Sequence, residues 1–509
     1  MPRPDCSFDI PGNQKLIIDR TISLRRINGL QQMTQGLIRT TIAAAFFVSA
    51  AALAAEPTAP VTYDRAAWLA DFESLRDTLT RGYPNLEWAV ERGMDLRALQ
   101  KLALSRLETA TDDAQARRTL ERFVAAFGDG HLQLTWPSAG SNASHESTES
   151  APLCRRLGYE SQPDTSAIGA RLPGYVALDE QDPWAAGIVT REGRRVAILR
   201  IERFAPQTPQ CTAALTELKL SESDACDDSC EARVRARIDA LYVAGMERRL
   251  RALEARQPDL LVVDLATNGG GDDSSIALAR MFSADAPTPA IGFMRGERFE
   301  KYLTDLQASL AKAAKRAARA DRPLYERALV SIKAVAKDAS LACDRSPLWR
   351  GDPISCSGIV RGPFYAGGLV HRAVIAHSED SELISSTSRY SFTPGLWSRP
   401  VAFLVDGNTA SSAELIAAML QDAGRALVIG SPTFGAGCGW MLPPQPTTLP
   451  RSGGLLHMSD CSRFRADGRN EVDGITPDVL IPFRRYDTPK QRVARLEAAW
   501  PGVFAKIRR

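Results

Sequence analysis

The sequence predicts an α/β protein with an N-terminal helical domain and a helical insertion. Two observations carry this. Short β-branched runs stand at residues 196–201, 260–265, 401–405 and 427–429, and helical periodicity fills the intervals at 230–256 and 275–282. Upstream, residues 62–128 are helical in pattern. Trp68, Phe72, Leu75 and Leu79 recur at helical spacing. Asp112 with Gln115 forms a capping-box signature, followed by Leu120, Phe123, Val124 and Phe127 on one face. Residues 138–150 are polar and Ser-rich, as expected of a loop. Between residues 295 and 337 an Ala/Lys/Arg-rich stretch with helical periodicity reads as an inserted helical pair whose basic run is a solvated face.

The expected organisation is a leader at 1–54, a helical domain at 55–130 and a connecting region at 131–193. The core follows in two parts, 194–294 and 396–485, split by an insertion at 295–395, and residues 486–509 form a C-terminal tail. The leader ends in IAAAFFVSAAALA, preceded by Arg39 and closing on Ala52-Leu53-Ala54, which reads as a secretory signal cleaved after Ala54. The run is short for a membrane span, so no stable membrane insertion is expected after cleavage. The polar stretch before it suggests that translation starts at Met33. The leader holds six of the 63 basic and three of the 60 acidic groups, so the remainder balances at 57 of each. A balanced charge argues against a nucleic-acid surface.

Cleavage also removes Cys6 and leaves eight cysteines. An even number in an exported chain suggests disulfides, and proximity favours Cys226–Cys230, Cys343–Cys356, Cys438–Cys461 and Cys154–Cys211. There is no CxxC pair, and no two of the five histidines have ligand spacing, so neither a metal nor a cofactor is expected.

Three motifs carry chemistry. VAFLVDGNTASSAE, ending at Glu414, puts Ser411 and Ser412 where a strand hands over to a helix. A helix N-terminus offers unpaired N–H groups to a developing oxyanion, though serine is also an ordinary N-cap. FGDGHLQL sets His131 after a helix and two glycines. LLVVDLATNGGG runs a buried strand into three glycines, which allow close backbone approach to a ligand. Neither GxGxxG nor a GKS/GKT ending is present, which argues against a phosphate loop.

In this order, with GRALVIGSPTFG and GITPDV downstream, these motifs resemble the C-terminal processing (tail-specific) peptidase and tricorn-core family of serine peptidases. The resemblance implies a spiral of β-β-α units, as in the Clp protease and crotonase groups. It implies Ser411 as nucleophile, with an oxyanion hole from the backbone N–H of Ser412 and of Gly270 or Gly271. The lysine base of the tail-specific branch is replaced by Ala436, and an alanine cannot accept a proton. The tricorn-like branch uses a histidine from the DGH motif, matched by His131, oriented by a carboxylate for which Glu471 is the first choice and Asp473 the alternative. No interposed recognition domain of the PDZ type is evident between His131 and Arg194.

The reading is an exported, periplasmic or secreted serine peptidase with a Ser411–His131–Glu471 triad and a polypeptide substrate. A catalytically silent peptide-binding protein on the same scaffold and an acyl or ester hydrolase are the rival readings.

Overall fold

The computed structural model describes residues 63–137, 151–160, 167–178, 185–371 and 380–507. The signal segment, the Met33 start and the Ser-rich loop lie outside them. Helices Arg65–Gly82, Leu96–Thr109 and Asp113–Ala125 open the chain, each capped by an aspartate side chain that accepts a first-turn N–H. At the third, Asp112 accepts from the Gln115 backbone at 2.8 Å, the N-cap half of the expected capping box, while the Gln115 side chain donates to Asp112 at 2.7 Å instead of accepting its N–H. Trp68, Phe72, Leu75 and Leu79 are buried, as are Leu120, Phe123, Val124 and Phe127.

The central sheet has seven strands. Their spatial order is Val479–Leu480, Ala426–Gly430, Val401–Val405, Leu260–Asp264, Arg194–Arg200, Ala186–Arg191 and Val176–Ala177. The first five are mutually parallel, and the last two pairings are antiparallel. Leu260–Asp264 and Val401–Val405 are buried along their whole length, which explains continuous apolar runs rather than alternation. Successive side chains still point to opposite faces. Leu261, Val263, Phe403 and Val405 join the helices Asp228–Glu254, Ser274–Phe282 and Ser412–Asp422 in one core. Leu260, Val262, Ala402 and Leu404 pack on the other side against Trp500, Val503 and Phe504.

Those last three residues belong to the helix Pro489–Ile507, which packs on the sheet. The helix covers a sheet face that parallel strands cannot leave in water. The insertion has two unlike halves. Its first half is the expected helical pair, Glu297–Arg316 and Arg322–Ala339. Its second half supplies the strand Ile359–Tyr365, which pairs with Ala290–Met294, itself paired with Cys461–Phe464. A third small sheet joins Gln133–Thr135, Leu455–His457 and Thr447–Thr448. All four expected disulfides are present.

Two adjacent parallel strands set the site. Asp264 pairs with Leu404, so the glycine run after Asp264 and the turn leading to Ser411 leave the sheet at the same edge. The carboxyl ends of parallel strands are where open α/β sheets form ligand crevices. Because Trp500 is buried against that sheet, Trp500→Ala should lower unfolding stability by about 3–5 kcal/mol. Chemical denaturation of the two proteins measures this, and a loss under 1 kcal/mol would mean that the helix is dispensable.

Candidate active site

Ser411 sits between the strand Val401–Val405 and the helix Ser412–Asp422 with φ 54° and ψ −115°. Positive φ is costly for a non-glycine residue, about 1–3 kcal/mol, and persists where surrounding contacts over-determine it. Three contacts do so here. The Ser411 N–H donates to Glu414 Oε2 at 2.9 Å. The Ser411 carbonyl accepts from Arg463 Nη2 at 3.0 Å. Gly270 presses against the third side, where an added Cβ would stand 2.7 Å from Ser411 Cβ and 2.8 Å from Ser412 N. Only glycine leaves room there.

Glu414 is fully buried and accepts four hydrogen bonds. Besides Ser411, its donors are the Thr433 hydroxyl at 2.6 Å and the Gly435 and Ala436 N–H groups at 2.8 and 3.0 Å. Burial pushes its carboxyl above the usual value of 4.5, with the four donors opposing. The carboxylate thus ties the Ser411 elbow to residues 433–436.

Ala436 then meets His131. The imidazole Nδ1 lies 2.7 Å from the Ala436 carbonyl oxygen. A carbonyl can only accept, so in the neutral ring Nδ1 carries the proton and Nε2 keeps the lone pair. Behind the ring, the His131 backbone N–H donates to Asp129 Oδ1 at 2.8 Å, and Asp129 Oδ2 accepts from Tyr83 and Asn85. Burial lowers the His131 pKa below 6.5, against the attraction of Asp129 and the Ala436 hydrogen bond, while the Arg463 charge lowers it further. Gly439 approaches Nε2 so closely that an added Cβ would stand 3.0 Å away.

Glu471 does not orient His131. It is buried, and its Oε2 accepts from Arg463 Nε at 2.6 Å while Oε1 has no partner. The physical reason is Arg463, a buried guanidinium that needs a counter-charge and lies between Glu471 and Ser411. The orienting group for His131 is a backbone carbonyl instead. The alternative, Asp473, is exposed and bound to Arg92 and Trp88. Gly270 also departs from expectation, because its N–H donates to Asn268 Oδ1 at 2.8 Å and is committed there. Among the described residues, the Ser412 and Gly271 N–H groups have no acceptor. The Ser412 hydroxyl donates to the Gly271 carbonyl at 2.8 Å, fastening the glycine run to the helix start.

Sequence reasoning had not anticipated Arg463, Asp129 or the Ala436 carbonyl. Arg463 stood in the short strand Cys461–Phe464 with an acid eight residues on, but nothing in residue type set it apart from the neighbouring Arg465. The carbonyl had no signal, since a backbone acceptor leaves no trace in residue type. A cavity of about 320 Å³ opens beside the glycine run, lined by Glu202, Arg203, Gln207, Thr267 and Gly269–Gly271. Among the described residues, no cluster of three or more His, Cys, Asp or Glu side chains could hold a metal ion, and no helix is long and apolar enough to cross a membrane.

The model of peptidase family S41 matches residues 237–481, which include Ser411, Glu414 and the glycine run. Over 87 residues the chain is 34% identical to carboxyl-terminal-processing peptidase 2 of Arabidopsis thaliana, a match spanning 17% of this chain and 16% of that protein. Over 85 residues it is 32% identical to a carboxy-terminal-processing protease of Bartonella bacilliformis, spanning 16% of this chain and 18% of that one. The fold is similar to that of mature CPAF complexed with lactacystin, at 14% identity and a TM-score of 0.56, covering 87% of this chain and 99% of that one. The ordered motifs, the family match and the fold agree, and residues 237–481 of the chain are similar to peptidase family S41.

Proposed function

We propose that the protein is an exported serine peptidase in which Ser411 and His131 perform acyl transfer from a peptide bond. The carrying observation is Ser411 at φ 54°, on a strand-to-helix elbow locked by Glu414, Arg463 and Gly270. Strained serines on such elbows present Oγ to substrate. In this reading His131 Nε2 takes the Ser411 hydroxyl proton as Oγ bonds to the substrate carbonyl carbon. The oxyanion is held by the Ser412 and Gly271 N–H groups at the helix start. Collapse breaks the C–N bond, and His131 passes its proton to the leaving amine. Water then repeats the sequence on the acyl-enzyme and frees Ser411.

Asp129 and the Ala436 carbonyl favour the transient imidazolium, the task usually given to a triad carboxylate. Glu471 acts on the other partner. It neutralises Arg463, which holds the Ser411 carbonyl, so Glu471 is a positioning residue in this scheme. Ala436 leaves no lysine to serve as an alternative base at that position. The signal-like segment before Ala54 and the four disulfides support export, since disulfides persist in oxidising compartments.

Labelling with a fluorophosphonate probe tests the nucleophile. Ser411→Ala should abolish labelling and peptide cleavage while unfolding like the parent. Ser412→Ala should keep both at a rate reduced about fivefold, the worth of one hydrogen bond near 1 kcal/mol. Labelling of Ser411→Ala at the parental rate would remove the assignment.

The acid limb of kcat/KM tests the base. Deprotonated His131 is the active form and burial lowers its pKa, so activity should fall only as pH drops through a value below 6.5. His131→Ala should lose that limb and cleave roughly 10³-fold more slowly or worse. An acid limb above 7 in the parent would contradict a buried, depressed imidazole.

The Glu414 tie gives a third test. Glu414→Gln sets an NH2 donor against two donors in a buried site and should destabilise the fold by about 2–4 kcal/mol. It should also cut probe labelling, read at a temperature where the variant remains folded by circular dichroism. Unchanged stability and labelling would mean that the carboxylate ties nothing together.

A further inference from the structure

Beyond the chemistry at Ser411, the surface beside His131 differs in character from the cavity at the glycine run. The cavity at the glycine run is polar, lined by Glu202, Arg203 and Gln207. Beside His131 stands an apolar shelf. The Trp440 ring meets the imidazole edge-on with centroids 5.0 Å apart, yet remains 40% exposed, and the next residue, Met441, is 42% exposed. A large apolar side chain left in water against a reactive group, with a second exposed one next in sequence, points to a ligand contact.

The shelf is rigid. The Trp440 indole N–H donates to the Met458 carbonyl at 2.6 Å. The Met441 and Leu442 N–H groups both donate to the Asp460 carboxylate at 2.9 Å, and Asp460 returns its own N–H to the Gly439 carbonyl. The Cys438–Cys461 disulfide closes the same segment from the other end. A shelf held in this way is ordered before substrate arrives, which lowers the entropic cost of binding.

Its position relative to Nε2 assigns the occupant. Nδ1 is taken by the Ala436 carbonyl, so Nε2 is the nitrogen that returns the proton to the leaving amine. Gly439 borders Nε2, and Trp440 and Met441 follow it directly. A substrate residue whose amine lies at Nε2 is bordered by Gly439 and by the exposed residues that follow it. We propose that Trp440 and Met441 are specificity-determining residues that select a polypeptide with a large apolar residue immediately after the scissile bond. The inference rests on the Ser411–His131 reading. Indole and thioether surfaces suit aliphatic and aromatic side chains and offer no charge to an acidic or basic one.

The test is a peptide library varied at the residue after the scissile bond, with products read by mass spectrometry, run beside fluorophosphonate labelling. The parent should prefer Leu, Phe or Met over Gly or Asp by roughly tenfold or more in kcat/KM, the scale of discrimination an apolar pocket provides. Met441→Ser should weaken that preference while labelling at the parental rate. Trp440→Ala should abolish it, with KM for apolar substrates rising more than kcat falls. A parent that labels and cleaves without regard to the residue after the scissile bond overturns the shelf assignment and leaves the Ser411–His131 reading intact. A preference unchanged in both variants overturns it as well. A parent that neither labels nor cleaves any library member overturns both readings together.

Discussion

Glu414 is a buried carboxylate with four donors converging on it, and the geometry of the site follows from that convergence. Its oxygens gather the Ser411 N–H from the elbow, and the Thr433 hydroxyl with two N–H groups from residues 433–436. A buried charge is tolerated only when its hydrogen-bonding capacity is met, so these segments cannot separate without exposing an unsatisfied carboxylate to an apolar interior. Ser411 keeps its positive φ because one end of the residue is held by Glu414 and the other by Arg463. His131 keeps its orientation because Ala436, whose N–H is held by Glu414, turns its carbonyl to Nδ1. In the proposed reading, nucleophile and base thus share one anchor.

As proposed, this arrangement divides the labour of a conventional triad differently. The carbonyl of Ala436 sets the tautomer, and Asp129 supplies negative charge behind the ring. The carboxylate near the C-terminus, Glu471, serves the serine side through Arg463. A neutral carbonyl attracts an imidazolium less than a carboxylate would, and burial further disfavours the charged ring. The base is consequently weaker than an ordinary histidine but deprotonated over a wider pH range. The Cys438–Cys461 disulfide makes the loop beside Nε2 part of the rigid frame rather than a mobile cover.

Much of this was legible in the residues. The fully buried strands Leu260–Asp264 and Val401–Val405 lie within a residue of the β-branched runs, because parallel strands covered on both faces leave an unbroken apolar signature. The cysteine pairs follow sequence proximity throughout. The strand-to-helix serine, the glycine run and His131 fall in one connected cluster. The illegible parts depended on tertiary pairing. Glu471 was read as the partner of His131, but a buried Arg463 lay closer in space than any motif indicated. Gly270 and Gly271 look alike in a GGG run, and only the Asn268 side chain distinguishes them by occupying one amide. The C-terminal helix read as a tail because Trp500, Val503 and Phe504 show their meaning only against the sheet face they cover.

The central claim is that a backbone carbonyl, not a carboxylate, holds His131 with its lone pair on Nε2. Nitrogen-15 NMR of the imidazole rings measures this directly. With five histidines in the chain, the His131 signals can be assigned by their loss in a His131→Gln variant. Above the acid limb, the account requires a protonated, pyrrole-type Nδ1 and an unprotonated, pyridine-type Nε2. A proton on Nε2 with a bare Nδ1 would contradict the Ala436 hydrogen bond and, with it, His131 as the base for Ser411.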